Sequence, residues 1–243
     1  MKAEIQAVTV DFFQTLARHR LGDGGRGRAL MSYLASRGIE SNAWEHQVLY
    51  DVLEPHGREY SPELSPSARE QYLIRLCHRV FDRLGVSTSS HAPAEHAERV
   101  WELIGPTSLE VYPEVADALQ DLRAAGYRLA IVSNWQCGLG HYCAELGIGQ
   151  YFDHVVASAE IGHAKPDRAI FAEAADRLGV AAHQILHVGD SVEDDWKGAR
   201  AAGMHAALLV RDGSVPPQGA EVVRSLDGIS SLLERWQGSR QVT

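Results

Sequence analysis

Lysine is nearly absent: Lys2, Lys165 and Lys197 are the only three in 243 residues, and arginine carries the rest of the positive charge. A lysine inside a motif therefore stands out here. Basic charge as a whole is also in deficit, with 23 Lys and Arg against 32 Asp and Glu and a net charge of -9. That balance speaks against a nucleic-acid partner, whose binding surface is normally basic. Cysteine is scarce and odd in number (Cys77, Cys137, Cys143), with no metal-finger spacing. A disulfide framework is not expected, and a reducing cytoplasm is the expected setting. No apolar run approaches transmembrane length, and MKAEIQAV has no signal-peptide apolar stretch, so no membrane partner is expected. What remains is ordinary for a globular chain, 45% apolar and 23% charged, long enough for one domain carrying an insertion.

The first apolar run, Ile5 to Val10, reads as a buried strand that stops at an acid, Asp11. Behind it, LARHRLGDGGRGR reads as a flexible hinge. Gly22, Gly24 and Gly27 have the spacing of a dinucleotide loop, but that motif follows its strand at once, and this strand ends well before Gly22. From Arg28 to Ile104 the periodicity is helical throughout. Apolar stripes run over Ala29–Leu34, Trp44–Val52, Tyr72–Phe81 and Val100–Leu103, stopped by Gly38, Pro55, Gly85 and Gly105-Pro106. The histidines there, His46, His78, His91 and His96, share no metal spacing and read as exposed helix-face residues. From Pro113 the pattern alternates helix with strand, with strands at Arg128–Val132, around Val155, at Ile185–Val188 and at His205–Val210. Such repeats imply a parallel sheet with helices on both faces.

Polar residues gather where those strands stop: Asp11, Ser133-Asn134, Lys165 and Asp190. Chance accounts for any one of them, and N-capping for Ser133 or Ser191, but neither accounts for four on one predicted sheet edge. In an open α/β sheet that edge is where ligands bind. Asp11 and Asp190, with Asp194 and Asp195 nearby in sequence, suit a hard divalent cation such as Mg2+. A lysine, a hydroxyl and strand-end amides suit an anionic group, and Asp11 is placed to act as a nucleophile.

These segments together resemble the haloacid dehalogenase-like hydrolase superfamily. DFFQTL at Asp11–Leu16 is similar to its first motif, Asp-x-Asp-x-Thr-Leu. IVSN ending at Ser133-Asn134 is similar to the second, AKPD with Lys165 to the third, and HVGDSVEDDWKGARAAGM from His187 to the fourth. The resemblance implies an α/β, Rossmann-like parallel-sheet core (residues 1–20 and 106–243) with an inserted α-helical cap (residues 21–105). It implies a hydrolase with Asp11 as nucleophile, and Thr15 and Ser133 touching the transferred group. Asn134 would shape that site, and Lys165 would bind substrate and balance charge. Mg2+ would be held by Asp11, the Phe13 carbonyl, Asp190 and a further acid, Asp195, with Asp194 as the adjacent alternative. The implied substrate is a small anion, a phosphate ester or a 2-haloacid.

Phe13 departs from that pattern, since phosphatases of the family carry a general-acid Asp there. General acid-base help is worth roughly 100- to 10,000-fold, so a phosphatase without it is expected to be slow or suited to a good leaving group. The 2-haloacid dehalogenases carry an aromatic residue at this position and need no metal. Against that reading, Asp190 would face Asp11 with no cation between them. A weakly catalytic binding protein is the third reading. Three neighbours stay open: Arg18-His19-Arg20 as a basic cluster or solvated loop, Trp135 as pocket wall or packing, and His163 as a substitute proton carrier.

Overall fold

The computed structural model describes residues 4–20, 22–42, 52, 65–105 and 109–238. The helical stripe at Trp44, Val48 and Leu49, its stop at Pro55, His46, and the Pro106 hinge lie outside the described residues. The chain divides into two compact units. A sheet unit comprises residues 1–17, 111–135 and 139–243, and a helical unit residues 18–110 with 136–138.

The sheet unit is built on six parallel strands in the order β5-β4-β1-β6-β7-β8. They are β1 (Ala7–Val10), β4 (Arg128–Ser133), β5 (His154–Ala157), β6 (Ile185–Gly189), β7 (His205–Leu209) and β8 (Glu221–Val223). Strands covered on both faces must be almost continuously apolar, and β1 is buried at all four of its positions. Ala7, Ala130, Val132 and Ile185 share one core cluster with Ile170, Phe171, Ala174 and Leu178 of helix α7 (Arg168–Leu178). The alternate residues Val8, Val10, Leu129 and Ile131 point to the opposite face and are equally buried. Helix α7 starts where the Asp167 side chain accepts from the Ala169 amide, and it ends at Gly179 in a left-handed cap. Full burial of Phe171 stabilises this layer by about 1.5–3 kcal/mol.

Register decides what sits together. Val10 lies level with Ile131 of β4 and with Val188 of β6. Asp11 and Asp190, just past their strands, and Ser133, the last residue of β4, therefore gather at one edge of the sheet. Because the chain runs outward from β1 in both directions, that edge is also where the strand order reverses.

In the helical unit, α1 (Gly22–Ser36), α2 (Pro66–Arg83) and α3 (Ala97–Ile104) supply the described helices longer than one turn. Helix α2 begins at a Ser65 cap with Pro66 in its first turn, and it buries Tyr72, Leu73, Leu76, Cys77, Val80 and Phe81. Tyr72 meets Trp101 of α3 edge to face, with ring centroids 5.9 Å apart. Helix α1 corrects the expected hinge, because it runs straight through the glycine-rich stretch. Each helical glycine costs about 1 kcal/mol relative to alanine. Packing offsets this: Arg26 is buried and donates to the Ile104 carbonyl at 2.9 Å, and Leu30 and Leu34 are fully covered. His96 is a second correction. It is buried rather than exposed, with Nδ1 2.8 Å from the Tyr33 hydroxyl and its ring against Phe81. No described helix is long and apolar enough to cross a membrane.

Two short strands, β2 (Ala17–His19) and β3 (Leu109–Val111), pair as a separate ribbon. Of the Arg18-His19-Arg20 group, left open as a basic cluster or a solvated loop, Arg18 and His19 lie in β2, with Arg18 exposed and paired to Glu110 at 2.9 Å and His19 buried, and Arg20 is exposed in the turn that follows. Burial, assisted by the Arg26 charge, lowers the His19 pKa to about 3. Between that value and the ordinary 6.5 the unfolded chain binds a proton that the folded one does not, so stability falls as pH drops through this window. His19→Gln is expected to flatten that acid limb by up to about 1.4 kcal/mol per pH unit, measured by urea unfolding between pH 4 and 7. An unchanged slope in the variant would count against a buried neutral His19.

Candidate active site

Asp11 follows β1 directly, and its backbone amide extends the sheet by donating to the Val188 carbonyl at 2.9 Å. Its carboxylate is buried. Ser133 Oγ, at the end of β4, donates to Asp11 Oδ1 at 2.9 Å, and Lys165 Nζ donates to the same oxygen at 2.6 Å. Both bonds fall on Oδ1, so Oδ2 remains available to a reacting atom. Lys165 also donates to Asp195 Oδ1 at 2.6 Å, which ties two buried carboxylates to one ammonium.

Asn134 holds the lysine in place. Its Nδ2 donates to the Lys165 carbonyl at 3.0 Å, and its Oδ1 accepts from the Lys165 amide at 2.7 Å. Its side-chain amide thereby ties the end of β4 to the Lys165 backbone.

Asp195 arrives by a wide turn. Val192–Lys197 winds as a π-helix, with the Ser191 hydroxyl capping the Asp194 amide. That winding turns Asp195 back toward the strand end, where its Oδ2 accepts from the Ser191 amide at 3.0 Å. Gly189 is required by this approach, since a Cβ there would stand 2.2 Å from Asp195 Cγ. Of the two adjacent acids, Asp195 is buried in the cluster while half-buried Asp194 begins the turn.

His187 belongs to this group and was not singled out from the sequence. It is fully buried, with Nε2 3.0 Å from Asp195 Oδ1 and Nδ1 2.9 Å from the Thr9 hydroxyl. A usable signal existed: a histidine inside the apolar strand ILHVG needs a buried polar partner.

Charge and burial set the protonation states. Burial works to raise the Asp195 pKa, but Lys165 and His187 outweigh it and hold that carboxyl below the usual carboxylate range. The two carboxylates likewise overcome burial to raise the Lys165 pKa. Asp11 moves up, because burial exceeds the pull of an ammonium shared with Asp195. Asp190 is raised to about 7, by desolvation first and then by the charges of Asp11 and Asp195. Its surface is nonetheless exposed, so like-charge repulsion is the cause the geometry secures most firmly.

Asp11, Asp190 and Asp195 can each place an oxygen within 4.8 Å of the others. Three carboxylates against one ammonium leave negative charge in excess, and an all-oxygen donor set suits Mg2+. Thr15 is fully buried, and its hydroxyl has no hydrogen-bond partner among the described residues. Phe13 turns an aromatic ring to Trp135, centroids 6.0 Å apart, while buried Phe12 meets the same indole edge to face at 5.0 Å. His163 lies on the surface with Nδ1 3.1 Å from Asp167, the α7 cap.

A buried acid, a hydroxyl and a lysine thus converge at the carboxyl edge of a parallel α/β sheet. Residues 6–203 match the haloacid dehalogenase-like hydrolase family, and the chain belongs to that family. It is 32% identical to the human haloacid dehalogenase-like hydrolase domain-containing protein 3 over 221 residues, covering 89% of this chain and 86% of that protein. It is 31% identical to a glyceraldehyde 3-phosphate phosphatase from Methanopyrus kandleri over 209 residues, 85% of this chain and 84% of the relative. Similar folds include an HAD phosphatase from Thermococcus onnurineus (TM-score 0.60, 24% identity, 94% of this chain and 98% of that one). They also include a 2-haloacid dehalogenase from Pseudomonas syringae (TM-score 0.66, 24% identity, 96% and 99%). The fold is thus shared by both chemistries and does not separate them.

Proposed function

We propose that the protein is a Mg2+-dependent phosphatase of small phosphate esters that works through an aspartyl-phosphate on Asp11. The observation carrying this reading is the convergence of Asp11, Asp190 and Asp195 around a single lysine. A metal-free site would leave the Asp190 charge beside Asp11 without a counter-ion. The relationship to a glyceraldehyde 3-phosphate phosphatase supports the same substrate class. Residues 21–105 serve as the cap in this reading. A cytoplasmic setting is part of this reading, from the scarce and odd-numbered cysteines of the sequence.

Asp11 Oδ2 attacks phosphorus, the bond to the leaving oxygen breaks, and the phosphoryl group passes to the carboxylate. Water then attacks phosphorus, releasing inorganic phosphate and regenerating Asp11. Lys165 and Ser133 hold Oδ1 so that Oδ2 faces the substrate, and Lys165 offsets charge as it develops. The Thr15 hydroxyl, buried and without a hydrogen-bond partner among the described residues, would donate to the phosphoryl group. Asp11, Asp190 and the Phe13 carbonyl, with Asp195 behind them, would hold Mg2+, which when bound would neutralise phosphoryl oxygens. With Phe at position 13, the leaving oxygen takes its proton from water.

The test is a panel of phosphate esters and 2-haloacids, each assayed with Mg2+ and with a chelator. Mg2+-dependent phosphate release supports the reading. Chelator-resistant halide release would replace it with the dehalogenase reading, which the Phe13–Trp135 aromatic face favours. Binding of inorganic phosphate without turnover of either class would point to the non-catalytic reading. On the phosphatase reading, Phe13→Asp is expected to raise kcat on alkyl phosphates by roughly 100-fold or more and on activated aryl phosphates by less. Equal effects on both leaving groups would argue that Phe13 does not occupy the general-acid position.

A further inference from the structure

The turn that follows Asp11 is held in an unfavourable conformation. Gln14 has φ of 63°, and among the described residues it is the only non-glycine with a positive value. Such a residue persists only where its surroundings over-determine it. Within the turn, the Leu16 amide donates to Phe12 and the Gln14 amide to Ala17. The further restraints come from distant parts of the sheet unit. Arg211, just after β7, donates from Nη2 to the Thr15 carbonyl at 2.9 Å. Tyr112, just after β3, donates its hydroxyl to Gln14 Oε1 at 3.0 Å and its amide to the Leu16 carbonyl at 3.1 Å. Three successive residues, 14, 15 and 16, are each gripped from outside.

The two gripping residues also lock each other. The guanidinium carbon of Arg211 stands 3.7 Å from the centre of the Tyr112 ring, close enough for stacking and cation–π attraction. Its Nη1 pairs with Glu114 at 2.5 Å, with both side chains largely covered. The planar guanidinium thus acts on three partners at once, a geometry that a lysine cannot reproduce.

We propose that Arg211 and Tyr112 are positioning residues for the reaction at Asp11: they fix the Gln14–Leu16 turn so that the Thr15 hydroxyl and the Phe13 carbonyl face the reacting group. This rests on the reading of Asp11 as nucleophile, while the residues it assigns contribute no side chain to the reacting atoms. Misplacing a catalytic group by about 1 Å can cost on the order of 100-fold in rate.

The test measures kcat, KM and thermal midpoint for Tyr112→Phe, Arg211→Lys and the double variant, using an aryl phosphate at saturating Mg2+. Tyr112→Phe removes one hydroxyl and keeps the stacking. It is expected to lower kcat by roughly 10-fold with KM changed less than about 2-fold and the midpoint nearly unmoved. Arg211→Lys keeps the charge and is expected to lose roughly 10- to 100-fold in kcat. The double variant is expected to lose less than the product of the two, because both act through one turn. Variants that melt earlier but keep the wild-type kcat would overturn the proposal and leave a purely structural clamp. Failure of the phosphatase reading shows in the wild type, whereas failure of the positioning role shows only in the variants. A wild type that releases chloride from 2-chloropropionate instead is scored with the same variants on that substrate. A wild type inert to both overturns the two together.

Discussion

Asn in place of Asp11 is expected to lower turnover by about 10,000-fold or more while the protein folds normally. The substitution keeps shape and volume, and the Asn oxygen can still accept from Ser133 and Lys165, which now bond Asp11 Oδ1 at 2.9 and 2.6 Å. What disappears is a nucleophilic carboxylate oxygen, and no neighbour can replace it. Asp195 accepts from Lys165, His187 and the Ser191 amide. The check is steady-state turnover alongside urea unfolding. Retained activity with a normal unfolding midpoint would remove Asp11 from the reaction. The variant should also bring the Asp190 pKa down from about 7, since part of that elevation is the Asp11 charge. This titration can be followed by NMR independently of any substrate.

Lys165→Met is expected to have the largest effect on stability. Its ammonium lies 2.6 Å from both Asp11 and Asp195, and all three side chains are almost fully covered. Removing the cation leaves two buried carboxylates facing each other, a change that costs roughly 3–5 kcal/mol. The pH dependence identifies the cause. Without its counter-charge the buried pair has a carboxyl pKa raised above the unfolded value, so acidification protonates the folded state first and relieves the strain. The loss relative to wild type should therefore be larger at pH 7.5 than at pH 5. An equal loss at both values would mean that packing, not charge, is what Lys165 supplies. Turnover should be lost at both.

Both expectations concern residues that the sequence already pointed to, and the reason is physical. A fully buried parallel strand is a largely apolar run, so its end is marked where that run gives way to polar residues, as at Asp11, Ser133 and Asp190. Parallel registry brings those ends together without any detail of side-chain packing. The helices at Arg168–Leu178 and Pro66–Arg83 were legible for a related reason, since cap residues and glycine stops are local signals. The haloacid dehalogenase-like resemblance, which the family match now supports, added order to signals that are weak singly.

Other parts were not legible, because what fixes them is remote in sequence. Helix α1 starts among glycines because Arg26 reaches the Ile104 carbonyl, 78 positions away. The ribbon of β2 and β3 joins two segments of three residues, too short to show a period. Choosing between Asp194 and Asp195 required the π-winding that turns Asp195 inward. Tyr112 and Arg211 lie beside a strand and a loop whose local sequences give no hint of the Gln14 turn.

The central place of β1 in the sheet bears on how the chain is made. Ala7 pairs with Arg128 on one side and Ile185 on the other, so the middle strand leaves the ribosome long before either neighbour exists. At synthesis rates of about 5–20 residues per second, it waits roughly 6–25 s for β4 and longer for β6. During that interval its apolar edges are open to wrong pairing. Most of the helical unit is made in the same interval. Sheet assembly is thus late and long-range, and pulse-labelled nascent chains should show protease resistance in the helical unit before β1 becomes protected.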